Sequence, residues 1–204
     1  MRRSYFSKTI VAGLWLVCPF ALSAQVSPLQ VEVNVGVGVP VQEFSGRDGF
    51  EGEAGDGATF GVHFGLTTRS YLTWYVGFSQ HRFGCDTTTC GAVDDIVTTS
   101  WDVGARVNLL SGPVVPWIRA GVVSHLAELD STGVPAGGST PVTLRLESDR
   151  GWGFEGGAGV MITVAPRLAI NPGVRYSRIT TAFDGIGDLE MRFLSVGLGL
   201  VLGF

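Results

Sequence analysis

The sequence predicts an all-β fold, an eight-stranded antiparallel up-and-down transmembrane β-barrel, and three observations carry that prediction. Apolar residues recur at every second position through eight segments, the period of a strand and not of a helix. Beyond residue 24 no run approaches the roughly 20 consecutive apolar residues that a spanning helix needs, although 45% of the 204 residues are apolar and only 16% are charged. Many of the 30 glycines stand on the less apolar face of those segments, where a solvated sheet would carry Lys, Glu and Thr.

The first 24 residues read as a targeting segment. Arg2, Arg3 and Lys8 precede a chargeless stretch from Thr9 to Phe20, followed by Ala21, Leu22, Ser23 and Ala24. That order of basic, apolar and small residues is a secretory signal peptide, cut after Ser23 or Ala24. Cys18 lacks the small residue before it that lipidation requires. Export leaves residues 25–204 as a single barrel domain with 11 Arg against 18 acids, a net charge of −7. A nucleic-acid partner is not expected at that charge. In an oxidising compartment Cys85 and Cys90 are expected to form a disulfide closing a small loop, contributing roughly 2 kcal/mol. His81 beside them makes only three candidate metal ligands, so neither a metal nor a cofactor is expected.

The strands follow in order. From Leu29 to Val41 every odd position is apolar, and from Leu194 to Phe204 every even one is, with Ser195, Gly197, Gly199, Val201 and Gly203 on the other face. Between these termini, alternation marks Phe60–Thr67, Leu72–Ser79, Trp101–Leu109, Trp117–Val122, Trp152–Thr163 and Leu168–Ser177. Residues 67–70, 110–114 and 165–167 are tight turns, while 42–57, 82–95, 130–148 and 180–189 are long polar loops. Short turns at one end and long loops at the other belong to an outer-membrane barrel. Pro116 falls at a strand start, and Pro172 calls for a bulge because a closed barrel has no free edge.

The glycines decide which face is wet. An eight-stranded barrel has an interior just wide enough to be filled by side chains, and glycine suits a crowded lumen, so the apolar face is the lipid-facing one. Trp101 and Trp152 open descending strands, and Tyr71, Trp74 and Phe204 sit toward the short turns, as two interfacial girdles would.

On the signal peptide, the eight-strand alternation, the run Gly173, Val174, Arg175, Tyr176 and the closing Leu200, Val201, Leu202, Gly203, Phe204, residues 25–204 resemble the small outer-membrane barrels, the family of outer-membrane protein X and of the transmembrane domain of outer-membrane protein A. The resemblance implies an integral protein of the outer membrane. It also implies that Phe204, Leu202 and Leu200 are the signal read by the barrel-assembly machinery. No peptidoglycan-binding domain is expected after the barrel, a departure from outer-membrane protein A itself.

By strand parity Glu32, Asp102, Arg106, Arg119, Glu155 and Arg175 point inward, three acids and three bases. Unpaired charges shielded from water cost several kcal/mol each, so these six are expected to form a neutral ion-pair network that plugs the lumen. The alternative is a narrow or gated channel. A lipid-modifying enzyme is the least favoured reading, because its only local candidates, Ser79 and His81, lie close together on one strand and His63, His81 and His125 all fall on the inward parity. The expected role is structural or surface-interacting. The acidic loops would meet lipopolysaccharide, through shared divalent cations, or an extracellular partner, and the barrel is expected to be a monomer in outer-membrane lipid.

Overall fold

The structure, a computed structural model, describes residues 28–41, 44–46, 51–52, 54–85, 93–133, 142–183 and 187–204. Eleven strands run in chain order: β1 Leu29–Pro40, β2 Phe44–Gly46, β3 Glu51–Gly52, β4 Ala54–Arg69, β5 Leu72–Cys85, β6 Val93–Asn108, β7 Val114–Gly133, β8 Val142–Glu147, β9 Gly151–Ala165, β10 Leu168–Phe183 and β11 Gly187–Gly203. Eight of them are the staves of one closed barrel, in the order β1, β4, β5, β6, β7, β9, β10, β11, each antiparallel to its neighbours. The ring closes where β1 meets β11, from Gln30 opposite Gly203 to Pro40 opposite Phe193. The expected eight-stranded antiparallel barrel is therefore the fold. No helix among the described residues is long and apolar enough to cross a membrane.

Closure leaves every stave paired on both sides, so the backbone needs no water in a bilayer. Side chains on the outward face are exposed and apolar: Val33, Val35 and Val37 on β1, Phe60 and Phe64 on β4, Trp74 and Val76 on β5, Val196, Leu198 and Leu200 on β11. In a water-filled setting such a belt would far exceed the apolar patch a soluble monomer tolerates. Lipid is the solvent it suits.

Three expectations need correction. The staves are longer than the sequence reading allowed, and parts of all four long loops belong to them: β4 begins at Ala54, β5 runs to Cys85, β6 begins at Val93, β7 runs to Gly133, and β10 and β11 leave only residues 184–186 between them. Within the 130–148 segment β8 folds back on β7, with Glu128 opposite Glu147 and Gly133 opposite Val142. Trp101 is accordingly a mid-strand residue, packed edge-on against Phe78 at 5.4 Å, rather than the start of β6.

The cause is a change of phase. Along β5 the apolar residues Trp74 and Val76 face out, but beyond Ser79 the inward Phe83 is apolar and the outward Arg82 is charged. On β11 the apolar residues face out from Leu194 to Leu202, yet Leu189, Met191 and Phe193 are fully buried inside. Alternation does not stop at the membrane boundary; it inverts, because the walls there face water and the interior becomes an ordinary core.

The second correction follows from the first. The ion-pair network does not fill the lumen alone. Toward the long-loop end Phe83, Ile96, Val123, Ala127, Leu129, Ile179, Phe183, Leu189, Met191 and Phe193 form one apolar cluster.

The third concerns Pro172. It pairs with Leu198 on β11, and the ladder to β9 keeps one offset from Ala169 opposite Thr163 to Gly173 opposite Gly159. The bulge lies instead between Leu168 and Ala169. The missing N–H is accommodated by skipping ladder pairs at Asn171 and Pro172 rather than by inserting a residue. Pro116 is the third residue of β7 and its carbonyl accepts from the Leu109 amide at 2.8 Å.

Candidate functional site

The charged interior lies between the short turns and the apolar cluster, and the strand register builds it. Residues paired across adjacent strands share a face, so each inward row can be followed around the wall. One row runs Tyr75, Gly104, Gly121, Glu155 over β5, β6, β7 and β9. With no side chain on the two intervening residues, the Tyr75 side chain reaches across two strands and its hydroxyl donates to Glu155 Oε1 at 2.8 Å. A Cβ on Gly104 or Gly121 would sit 2.4 or 2.5 Å from that hydroxyl. The neighbouring row repeats the device, since His63 lies over Gly77 and brings Nε2 to 3.1 Å from Asp102 Oδ2. Trp117 does the same over Gly159 and Gly173, and its indole N–H reaches Asn171 Oδ1 at 2.6 Å. The large side chains thus fill space left by glycines on adjoining strands.

Arg119 is the centre of the network. Its guanidinium donates to Glu155 Oε1, stands 3.3 Å from Asp102 Oδ2 and lies 4.2 Å over the Tyr75 ring. Its planar fork can serve two carboxylates at once, and stacking on Tyr75 adds a cation–π contact. Arg106 makes a second pair with Glu32 at 3.2 Å and donates to Gln30 Oε1 at 2.5 Å. Arg175 approaches His63 Nε2 at 3.4 Å. With the Asn34 amide nitrogen donating to His63 Nδ1 at 3.0 Å, Nε2 carries the ring proton and offers it to Asp102.

The structure thus places Glu32, Asp102, Arg106, Arg119, Glu155 and Arg175 inside the barrel, the first five almost completely buried. Direct ion pairs join Glu32 to Arg106, and Asp102 and Glu155 to Arg119, while Arg175 stands beside the His63 ring without a direct ion pair among the described residues. The linking residues Asn34, His63 and Tyr75 were not assigned to the network from sequence. The signal available was a bulky inward residue followed, on the next strand, by glycine at the same register.

The remaining candidates lie apart. Leu200, Leu202 and Phe204 are exposed on the outer wall, and the Phe204 amide donates to the Leu29 carbonyl at 2.9 Å. Cys85 ends β5 opposite Ala54, whereas Cys90 lies outside the described residues, as does the 1–24 segment. Ser79 and His81 are both buried inside the barrel. The His81 ring sits 4.7 Å from Phe193 and 6.2 Å from Phe83, enclosed by the apolar cluster and away from any acyl chain outside. Among the described residues no group of three or more His, Cys, Asp or Glu could hold a metal.

A closed eight-stave barrel with an apolar belt outside and a packed, charge-paired interior defines an integral outer-membrane barrel. The outer membrane protein beta-barrel domain family matches residues 12–204, and the chain belongs to it. Among solved structures, Neisserial surface protein A aligns with a TM-score of 0.61 at 17% identity, covering 88% of this chain and 99% of that one. The outer membrane protein OprG of Pseudomonas aeruginosa aligns at 0.54 and 12% identity, covering 88% and 98%. The outer membrane protein AlkL, solved in lipid bilayers, aligns at 0.50 and 15% identity, covering 100% and 98%. At such identities the likeness is one of fold. No curated protein matches the chain.

Proposed function

We propose that the protein is a closed, non-conducting outer-membrane barrel, exported by residues 1–24, that acts as a rigid scaffold presenting the connections between its extended staves to an extracellular partner. The observation that carries this reading is the two-part filling of the interior: an apolar cluster stacked above an ion-pair network. Three cavities within the barrel have volumes of about 20, 10 and 20 Å³, each room for about one water. A hydrated ion crossing the barrel would have to displace Phe83, Met191 and Phe193 and then break the pairs around Arg119. Binding is delegated to loops on a rigid frame, with a Cys85–Cys90 disulfide bracing one of them and Leu200, Leu202 and Phe204 addressing the chain to the assembly machinery.

The test is conductance of the purified, folded protein in planar bilayers. Negligible current is expected from the natural chain, with openings appearing when Phe193→Ala and Arg175→Ala are combined. Steady conductance of the natural protein would replace this reading with a narrow channel.

A further inference from the structure

Two histidines sit in the apolar half of the interior, and the ion-pair network uses neither. His125 stands on β7 between Val123 and Ala127, two members of the apolar cluster, on the face they share. It is fully buried, and neither Nδ1 nor Nε2 has a hydrogen-bond partner among the described residues. His81 on β5 packs against Phe193 and Phe83, and its Nδ1 is likewise buried without a partner. His81 also meets the network, lining the cavity of about 10 Å³ that Ser79, Ser100, Asp102, Arg175 and Ser195 line. A cluster that needed only filling would hold Leu or Phe at both positions, since buried polar atoms left unpaired cost stability.

The neutral imidazole is the form this setting tolerates. Protonation would add a charge and a second N–H donor to rings that already lack partners. The titratable groups facing His81 do not offset that cost. Asp102 on β6 and Glu155 on β9 share its cavity, but they pair with His63 and Arg119 and not with His81 among the described residues. Arg175 on β10 and His125 on β7 both oppose a positive charge there. His125 is flanked in register by the uncharged Ser100 on β6 and Gly151 on β9, and Asp149 and Arg150, just before Gly151, are exposed. A histidine in water takes up its proton near pH 6.5. An opened cluster therefore binds protons that the closed one refuses, so acid favours opening.

We propose that His81 and His125 form an acid-sensitive latch in the apolar cluster. Neutral, they let Phe83, Ile96, Leu189, Met191 and Phe193 close the long-loop end; protonated, they release it. The loosening is confined to the level where alternation inverts, because the staves there depend on this cluster, while at lipid level they are held by their ladders and the ion pairs around Arg119. Acid thus frees the part of the wall that carries the long connections and changes what they present to a partner. The latch rests on the barrel being a closed scaffold, and its test reads backbone protection, which is independent of whether the lumen conducts.

The experiment measures amide hydrogen exchange of the folded protein in detergent at pH 7.5 and pH 5.5, corrected for the pH dependence of the exchange chemistry itself and resolved by segment. The lower pH stays above the ordinary carboxylate range. One proton taken up per histidine makes opening about tenfold easier over that interval, and about 100-fold for the pair. Segments 80–85, 95–98, 125–129 and 189–193 are expected to lose protection by that factor, while 32–37, 101–107 and 196–202 keep theirs. In the His81→Phe, His125→Leu double variant the ratio of protection between the two pH values should fall to about one. Equal protection of the natural protein at both pH values would overturn the latch, and so would a loss that persists in the double variant. If that variant does not fold, His125→Gln alone should leave about a tenfold ratio, and an undiminished ratio would be equally decisive against the proposal.

Discussion

Tyr75 reaches Glu155 across two strands, its hydroxyl 2.8 Å from Oε1, because Gly104 and Gly121 between them carry no side chain. The hydrogen bond and the glycines are therefore separable in mutants. Tyr75→Phe removes one donor but leaves Glu155 with Arg119, so it should cost about 1–3 kcal/mol. Gly104→Ala is expected to be the worse change despite adding a single methyl. Its Cβ would lie 2.2 Å from the Ala120 carbonyl oxygen, which belongs to a ladder and cannot swing away. Overpacking of that kind costs typically 1–3 kcal/mol or more, and here it also displaces the tyrosine. Urea unfolding of the detergent-folded barrel, read by tryptophan fluorescence, should rank Gly104→Ala below Tyr75→Phe in stability.

Arg119 should be the most costly charge to remove. Arg119→Met preserves much of the volume yet leaves Asp102 and Glu155 buried without their shared guanidinium. Breaking one side of a buried pair costs about 3–5 kcal/mol. Arg82, whose bond to Asp95 lies on the exposed wall at 2.6 Å, should lose less than about 1 kcal/mol on replacement by Met. Raising salt ought to narrow the cost at Arg82 and leave that at Arg119 nearly unchanged. Equal costs for the two variants would show that the interior network is hydrated rather than closed.

The part of this architecture that was legible in the sequence is the part immersed in lipid. On β1 and β11 the outward Val and Leu alternate with inward Gly, Ser and Asn, a contrast strong enough to give strand, face and topology together. The six inward charges could be placed by the same parity. The rest was hidden by the inversion. Around Ile96, Leu129 and Leu189 the inward side is apolar and the outward side carries Asp95, Glu128 and Glu190. A reader holding one parity sees the pattern dissolve there and assigns a loop. Pairing partners across the barrel were hidden for another reason, since His63 and Asp102 meet only once Gly77 is known to lie between them.

Arg167 marks a turn that sequence alone treated as merely short. It is the sole non-glycine residue with positive φ among those described, at 71°, and follows Pro166 in the two-residue connection from β9 to β10. Proline then a residue of positive φ is the pattern of a type II turn, which favours glycine or asparagine at the second position. The left-handed conformation costs an L-residue roughly 1–2 kcal/mol, partly offset in glycine by the greater entropy of its unfolded chain. Arg167→Gly should therefore stabilise the barrel by about 0.5–1 kcal/mol, seen as a higher urea midpoint with unchanged slope. Arg167→Val, β-branched at the same φ, should shift the midpoint the other way.

Phe204 offers a way to separate folding stability from assembly. Its ring is 61% exposed on the outer wall, and its amide contributes one hydrogen bond, to Leu29. Deleting it removes little packing and one exchangeable bond, so purified protein refolded in detergent should lose only about 0.5–1.5 kcal/mol. If the terminal aromatic is also read by the assembly machinery, the same deletion should reduce the amount of folded barrel recovered from the outer membrane several-fold, far beyond what that stability loss accounts for. Phe204→Tyr keeps an aromatic ring at the terminus and should restore most of the yield. Heat-dependent gel mobility of membrane fractions, measured beside refolding in vitro, compares the two quantities. Parallel losses in both would reduce Phe204 to a lipid-facing residue, whereas a selective loss in the membrane assigns it the assembly role.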